Sequence, residues 1–149
     1  MEIRDPLMKY LKEKLPETPE FIIQDLFYKN NKNASKADIQ AMIETYGNYE
    51  WELKNNFPIN HDIFDDDTKR RLGERADGSK NPYNVPNDKE RFETQKKLIM
   101  KRGLPKEPII LVKSRNKYEL LEGWHRIITL LSVFPEGFNY PNVYVGRLP

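Results

Sequence analysis

The chain has 149 residues, of which 38% are hydrophobic and 32% charged, so it can bury a core and is not disordered by composition. Its formal net charge of +2 is too small to indicate nucleic-acid binding by itself. The lack of cysteine excludes disulfides, thiolate metal sites and thiol catalysis. No apolar run approaches the ~20 residues of a membrane span, and residues 1–5 do not resemble a signal peptide. We therefore expect a cytoplasmic protein that makes no membrane contact.

The first third of the sequence predicts three short helices. Pro6 and Pro19 each stand at the first position of a helix, and Ser35 is the N-cap of a third helix that ends at Gly47. Apolar residues follow each start at helical spacing. We assign residues 1–48 to an N-terminal helical extension. Its apolar faces predict contact with a protein partner or with a second copy of the chain.

The middle of the sequence is less regular. Residues 51–53 predict a short strand, whereas Pro58 and residues 60–62 predict a loop. A polar stretch from 77 to 87 predicts a long loop, so we place an insertion at about residues 65–87 within a core domain of residues 49–149. The insertion opens with three acidic residues that suit the N-terminus of a helix, where the backbone dipole favours anions: Asp65, Asp66 and Asp67.

The last 60 residues alternate between helical and strand patterns. A helix ends at Gly103, and we expect its apolar residues Phe92, Leu98 and Ile99 to face inward. Residues 109–112 predict a strand covered on both faces, and residues 118–121 predict a second strand that forms a hairpin with it. A helix from about residue 124 and a strand at 142–145 follow. Together these elements predict an α+β fold with a small mixed sheet and helices on its faces.

A glycine turn between the second strand and the next helix is the best candidate site. Gly123 allows a sharp turn and close approach of a ligand, and the first backbone N–H groups of a helix lack acceptors within it. A phosphate fits such a positive helix end. His125 and Arg126 add side-chain donors, and a guanidinium can hold two phosphate oxygens at once.

The order of these pieces resembles the core of the ParB/sulfiredoxin superfamily. Pro108 precedes the first strand, and the second strand leads into Gly123-Trp124-His125-Arg126 at the start of a helix. The resemblance covers about residues 88–149. It implies phosphate contacts at Gly123, the Trp124 backbone, His125 and Arg126, with a nucleoside triphosphate or diphosphate and magnesium as the bound group. Trp124 stands where sulfiredoxins carry their cysteine, so sulfiredoxin chemistry is not expected.

Three functions remain open from the sequence. The first is a magnesium-dependent phosphotransferase or nucleotide hydrolase, with Glu122 and His125 as catalytic candidates. The second is a DNA-binding or nuclease-like protein that contacts phosphates through clustered cations. The third is a non-enzymatic interaction module with a decayed site, which binds its partner through residues 1–48. The cations that would contact DNA are Lys96, Lys97, Lys101 and Arg102.

Several candidate residues also have a purely structural interpretation. We favour helix capping over metal binding for Asp65, Asp66 and Asp67, which are second-choice magnesium ligands. The lysines near residue 97 fit a solvated helix face, and Trp124 fits either core packing or stacking on a base. For His125 and Arg126 we favour function, because packing does not require two cationic donors at a glycine-opened helix start.

Overall fold

The computed structural model describes residues 5–77 and 88–149 of the chain. The chain forms two compact units, Met1–Glu52 with Gly146–Pro149, and Leu53–Val145. Helices and a four-stranded mixed sheet make the fold α+β, which confirms the predicted fold class. Within the described ranges, no helix combines the length and the hydrophobicity needed to cross a bilayer.

The first unit contains the three predicted helices. Its first helix begins where the Asp5 carboxylate accepts hydrogen bonds from the backbone N–H groups of Leu7 and Met8. The second contains a π-helical segment that apolar spacing does not predict. Leu11, Ile22 and Phe27 are fully buried and form the centre of this unit. The helical segments are α1 (Pro6–Lys14), α2 (Glu20–Ile22), the π-helix Ile23–Tyr28, α3 (Lys29–Asn31) and α4 (Lys36–Tyr46).

The sheet has the strand order β1-β4-β2-β3. Strands β2 and β3 form the predicted antiparallel hairpin, with Ser114 opposite Lys117 at its turn. Strand β1 is longer than predicted and runs through Pro58, which the sequence had placed in a loop. Proline is tolerated there because β1 lies at the edge of the sheet, where a missing N–H need not remove a ladder hydrogen bond. The strands are β1 (Glu50–Ile59), β2 (Ile109–Ser114), β3 (Lys117–Glu122) and β4 (Phe138–Arg147).

The second unit adds a 3-10 turn and three helices to these strands. All four residues of the predicted covered strand, 109–112, are buried. The prediction for Leu98 was wrong, because its side chain is 43% exposed while that of Ile99 is 7% exposed. Neighbouring helical residues point about 100° apart, so one of the two faces the core. The side chain of Phe92 and the loop at 78–87 lie outside the described residues. The elements are His61–Ile63, α5 (Asp66–Asp77), α6 (Asp88–Arg102) and α7 (Trp124–Val133).

Gly123 allows β3 to turn directly into α7. Its backbone has a φ of 102°, a left-handed conformation that side chains rarely adopt. A Cβ atom at this position would lie 2.4 Å from the Cγ2 atom of Ile109 in β2. The start of α7 therefore lies directly against the first strand of the hairpin, and only glycine fits this approach without a shift.

We predict that Gly123→Ala lowers the free energy of unfolding by about 2–4 kcal/mol, from backbone strain and overpacking combined. Gly73→Ala is the matched control, because Gly73 lies within α5 and its added methyl group meets no atom within 4 Å. The control substitution should raise the free energy of unfolding by about 0.4–1 kcal/mol. Urea denaturation of both variants measures the difference, and equal effects would contradict this role of Gly123.

Candidate anion-binding site

The N-terminus of α7 presents its first backbone N–H groups without a side-chain cap. Gly123 is the N-cap residue, and the first helical hydrogen bond runs from the Ile127 N–H to the Gly123 carbonyl, at 3.0 Å. The N–H groups of the first turn have no acceptors within the helix and lie at the positive end of its dipole. This helix start therefore suits an anion.

Trp124 lies at this helix start and contacts two arginines of α5. The side chain is 9% exposed and belongs to the hydrophobic core of the second unit. The guanidinium carbons of Arg71 and Arg75 lie 4.5 and 5.5 Å from the ring centroid, within cation–π range. The packing interpretation of Trp124 is thus confirmed, and its ring also positions two cations.

His125 joins the same group of side chains. Its Nε2 atom lies 3.3 Å from Nη2 of Arg75. A guanidinium can only donate, so this contact is a hydrogen bond in the tautomer whose Nε2 accepts. The protonated imidazole would lose this bond and place a third positive charge beside Arg75. We call Arg71, Arg75, Trp124 and His125 the arginine–tryptophan cluster.

Arg126 makes its contacts with other residues. Its Nη1 atom donates to the backbone carbonyl of Glu107 at 2.8 Å and to the hydroxyl oxygen of Tyr140 at 3.4 Å. The Tyr140 hydroxyl donates to the same carbonyl at 2.6 Å. Burial raises the pKa of Tyr140, and the nearby Arg126 charge opposes that shift. Arg126 thus ties α7 to β4 and to the segment before β2, while the phosphate contact predicted for it stays a prediction.

Two glutamates of β3 lie near the helix start in sequence. Burial raises the pKa of the Glu119 carboxyl, the charge of Asp65 raises it further, and the charge of Arg71 lowers it. The charge of Glu119 therefore interacts with that of Arg71 in the arginine–tryptophan cluster. Glu122 lies opposite Ile110, beside an irregularity in the β2–β3 pairing. The catalytic roles predicted for Glu122 and His125 stay predictions.

The three aspartates at the start of α5 serve the helix itself. The Asp65 carboxylate accepts a hydrogen bond from the Thr68 N–H at 2.8 Å, and Asp66 and Asp67 lie in the first turn. Asp67 also pairs with Arg70 at 2.7 Å. These contacts confirm the helix-capping interpretation. In the described part of the chain, no group of three or more His, Cys, Asp or Glu residues is arranged to hold a metal ion.

The other two predicted contact surfaces lie on α6 and on the first unit. The four cations predicted to contact DNA are all exposed on α6: Lys96, Lys97, Lys101 and Arg102. The first unit carries an apolar groove between α1 and α4, on the segment predicted to bind a partner. The groove is lined mainly by Pro6, Leu7, Tyr10, Ala37, Ile39 and Gln40.

Sequence reasoning missed the residues that make the site basic. Arg71 and Arg75 are four positions apart on α5, so they share one helix face. That spacing is visible in the sequence, but it does not show that this face meets Trp124. The contact depends on how α5 packs on α7, which no local pattern encodes. The positions of Glu119, Glu107 and Tyr140 were missed for the same reason.

No protein-family model, curated protein or solved structure matches the chain. The resemblance to the ParB/sulfiredoxin superfamily therefore stays an expectation that rests on the order of motifs and elements. The function must be argued from the geometry of the site.

We predict that Glu119→Gln stabilises the fold at neutral pH by less than about 1 kcal/mol, since solvent screens a half-buried charge. The pKa of Glu119 is raised above its ordinary value of 4.5, so the folded state holds this proton more tightly than the unfolded state. Its contribution to stability is lost as the pH rises through the folded pKa. The advantage of the variant should therefore vanish below about pH 4. Urea denaturation between pH 3.5 and 8 tests this, and a pH-independent difference would contradict it.

Proposed function

We propose that this protein binds a phosphate-bearing anion at the N-terminus of α7. The observation that supports the proposal most is the placement of two guanidinium groups over the Trp124 ring, beside an uncapped helix start. Each guanidinium can donate two parallel hydrogen bonds to the oxygens of one phosphate. The backbone N–H groups of the helix start add donors that need no side-chain rearrangement.

The charges of the cluster favour the binding of an anion. Arg71 and Arg75 bring two permanent positive charges, and His125 adds another when it is protonated. The charge of Arg71 lowers the pKa of the Glu119 carboxyl against the effect of burial. A bound phosphate would bring negative charge close to Arg71 and so offset the effect of Arg71 on the Glu119 carboxyl. Binding of the anion should therefore be coupled to protonation of Glu119.

The resemblance extends this proposal to a nucleoside triphosphate or diphosphate with magnesium. Phosphoryl transfer or hydrolysis would further need a carboxylate that orients a nucleophile or holds the metal ion. Glu119 suits such a role by its connection to Arg71, and Glu122 by its place next to Gly123. We therefore propose anion binding as the function of the site, and phosphoryl transfer as the reaction that such binding would serve.

The direct test compares the stabilisation of the fold by inorganic pyrophosphate in the wild type and in the double variant Arg71→Gln, Arg75→Gln. A ligand at 100 times its dissociation constant should add about 2.7 kcal/mol to the free energy of unfolding. We expect the wild type to gain stability with rising pyrophosphate at constant ionic strength. The double variant should lose most of this gain, because the two guanidinium groups are removed.

Arg70→Gln is the matched control for that experiment. Arg70 lies on the same helix but is 58% exposed, and it pairs with Asp67 and Glu74 rather than with the cluster. Its substitution removes one positive charge from α5, half of what the double variant removes, and should leave the response to pyrophosphate unchanged. Equal responses in all three proteins, or none in the wild type, would contradict the proposal.

DNA binding is a second candidate, because four exposed cations lie along α6. The test is the salt dependence of binding to a mixed-sequence duplex. Removing two phosphate contacts with Lys97→Gln and Lys101→Gln should lower the log–log salt slope by about 1.8. Lys29→Gln with Lys32→Gln, on exposed positions of the first unit, is the control. Equal slopes in both double variants would contradict a DNA contact through α6.

A further inference from the structure

The arginine–tryptophan cluster also indicates which part of a ligand the site recognises. We infer that it binds a chain of phosphoryl groups and that Trp124, the aromatic residue of the cluster, does not stack on a nucleobase. This inference rests on the proposed function and narrows its ligand to the oligophosphate class. Inorganic tripolyphosphate and the triphosphate of a nucleotide would then be equivalent at this site.

The Trp124 ring at the helix start is already covered by other side chains. A base that stacks on an aromatic side chain needs a free face of its ring. The Trp124 side chain is 9% exposed, it packs in the core, and two guanidinium groups lie over its ring. A base could reach this ring only by displacing the cations that bind the phosphates.

Other aromatic residues of the second unit, within its described part, are also engaged elsewhere. Tyr118 packs edge-on against Phe57, with ring centroids 5.5 Å apart. Tyr140 and Phe64 are fully buried, and the Tyr140 hydroxyl donates to the Glu107 carbonyl. The side on which Gly123 meets β2 is filled by Ile109. Ile109, Tyr140 and Phe64 are therefore unavailable to a base.

The spacing of the two arginines fits more than one phosphoryl group. Residues at positions i and i+4 of a helix have Cβ atoms about 5–6 Å apart, so their guanidinium groups can hold neighbouring phosphates of one chain. Arg75 also contacts His125 of α7, which connects its guanidinium group to the first turn of that helix. Two guanidinium groups and the N–H groups of the first turn thus offer more donors than a single phosphoryl group can use.

Isothermal titration of the full chain, in EDTA so that no metal complexes form, separates the possibilities. The probes are inorganic tripolyphosphate, ATP, CTP and adenosine, and the proteins are the wild type, the Arg71→Gln, Arg75→Gln double variant and the Arg70→Gln control. We expect tripolyphosphate, ATP and CTP to bind the wild type with dissociation constants within threefold of one another. Adenosine should not bind, and the double variant should bind each phosphate at least tenfold more weakly than the control.

The outcomes of this titration test the inference about the base and the proposed function separately. If ATP or CTP binds at least tenfold more tightly than tripolyphosphate, the site reads the base and this inference is overturned while the proposed function stands. If no phosphate binds, or if the double variant and the control bind equally, the proposed function itself fails. Circular dichroism and the urea midpoint establish that each variant is folded. The milder variant Arg71→Lys keeps the positive charge. It should still weaken binding, because an ammonium group cannot donate the two parallel hydrogen bonds of a guanidinium group.

Discussion

The stacking of two guanidinium groups on the indole of Trp124 is the interaction on which the proposed site depends. Arginines repel each other, and a solvated pair on a helix would occupy many rotamers. The guanidinium carbons of Arg71 and Arg75 lie 4.5 and 5.5 Å from the centroid of this ring, in the first residue of α7. Because Trp124 is itself packed in the core, the positions of both cations are coupled to the fold rather than to the surface.

Glycine at position 123 makes this arrangement possible. The close approach to Ile109 brings the start of α7 against β2, so that the residue after the glycine enters the core instead of solvent. His125, one position further, then contacts Arg75, while Arg126 contacts Glu107 and Tyr140. Trp124, His125 and Arg126 thus contact different parts of the second unit, because successive helical side chains point in directions about 100° apart.

The sequence predicted the local elements well, but it did not predict which side chains surround Trp124. The β2–β3 hairpin, the glycine turn and the start of α7 follow from turn residues and apolar spacing, which act over a few positions. The extension of β1 through Pro58 depends on its place at a sheet edge, and the exposure of Leu98 depends on how α6 rotates on its neighbours. The contact of Arg71 and Arg75 with Trp124 could not be predicted, because it depends on how α5 packs on α7 and local spacing does not determine tertiary contacts.

The most direct measurement of the central claim follows the two indole N–H resonances in a ¹⁵N–¹H spectrum during a titration with pyrophosphate. Trp124 lies under the two arginines, whereas Trp51 stacks on Tyr49 in the first unit and serves as the internal reference. Binding at the cluster should shift the Trp124 resonance with saturation and leave that of Trp51 in place. No shift at Trp124, or equal shifts at both residues, would contradict an anion site built on the arginine–tryptophan cluster.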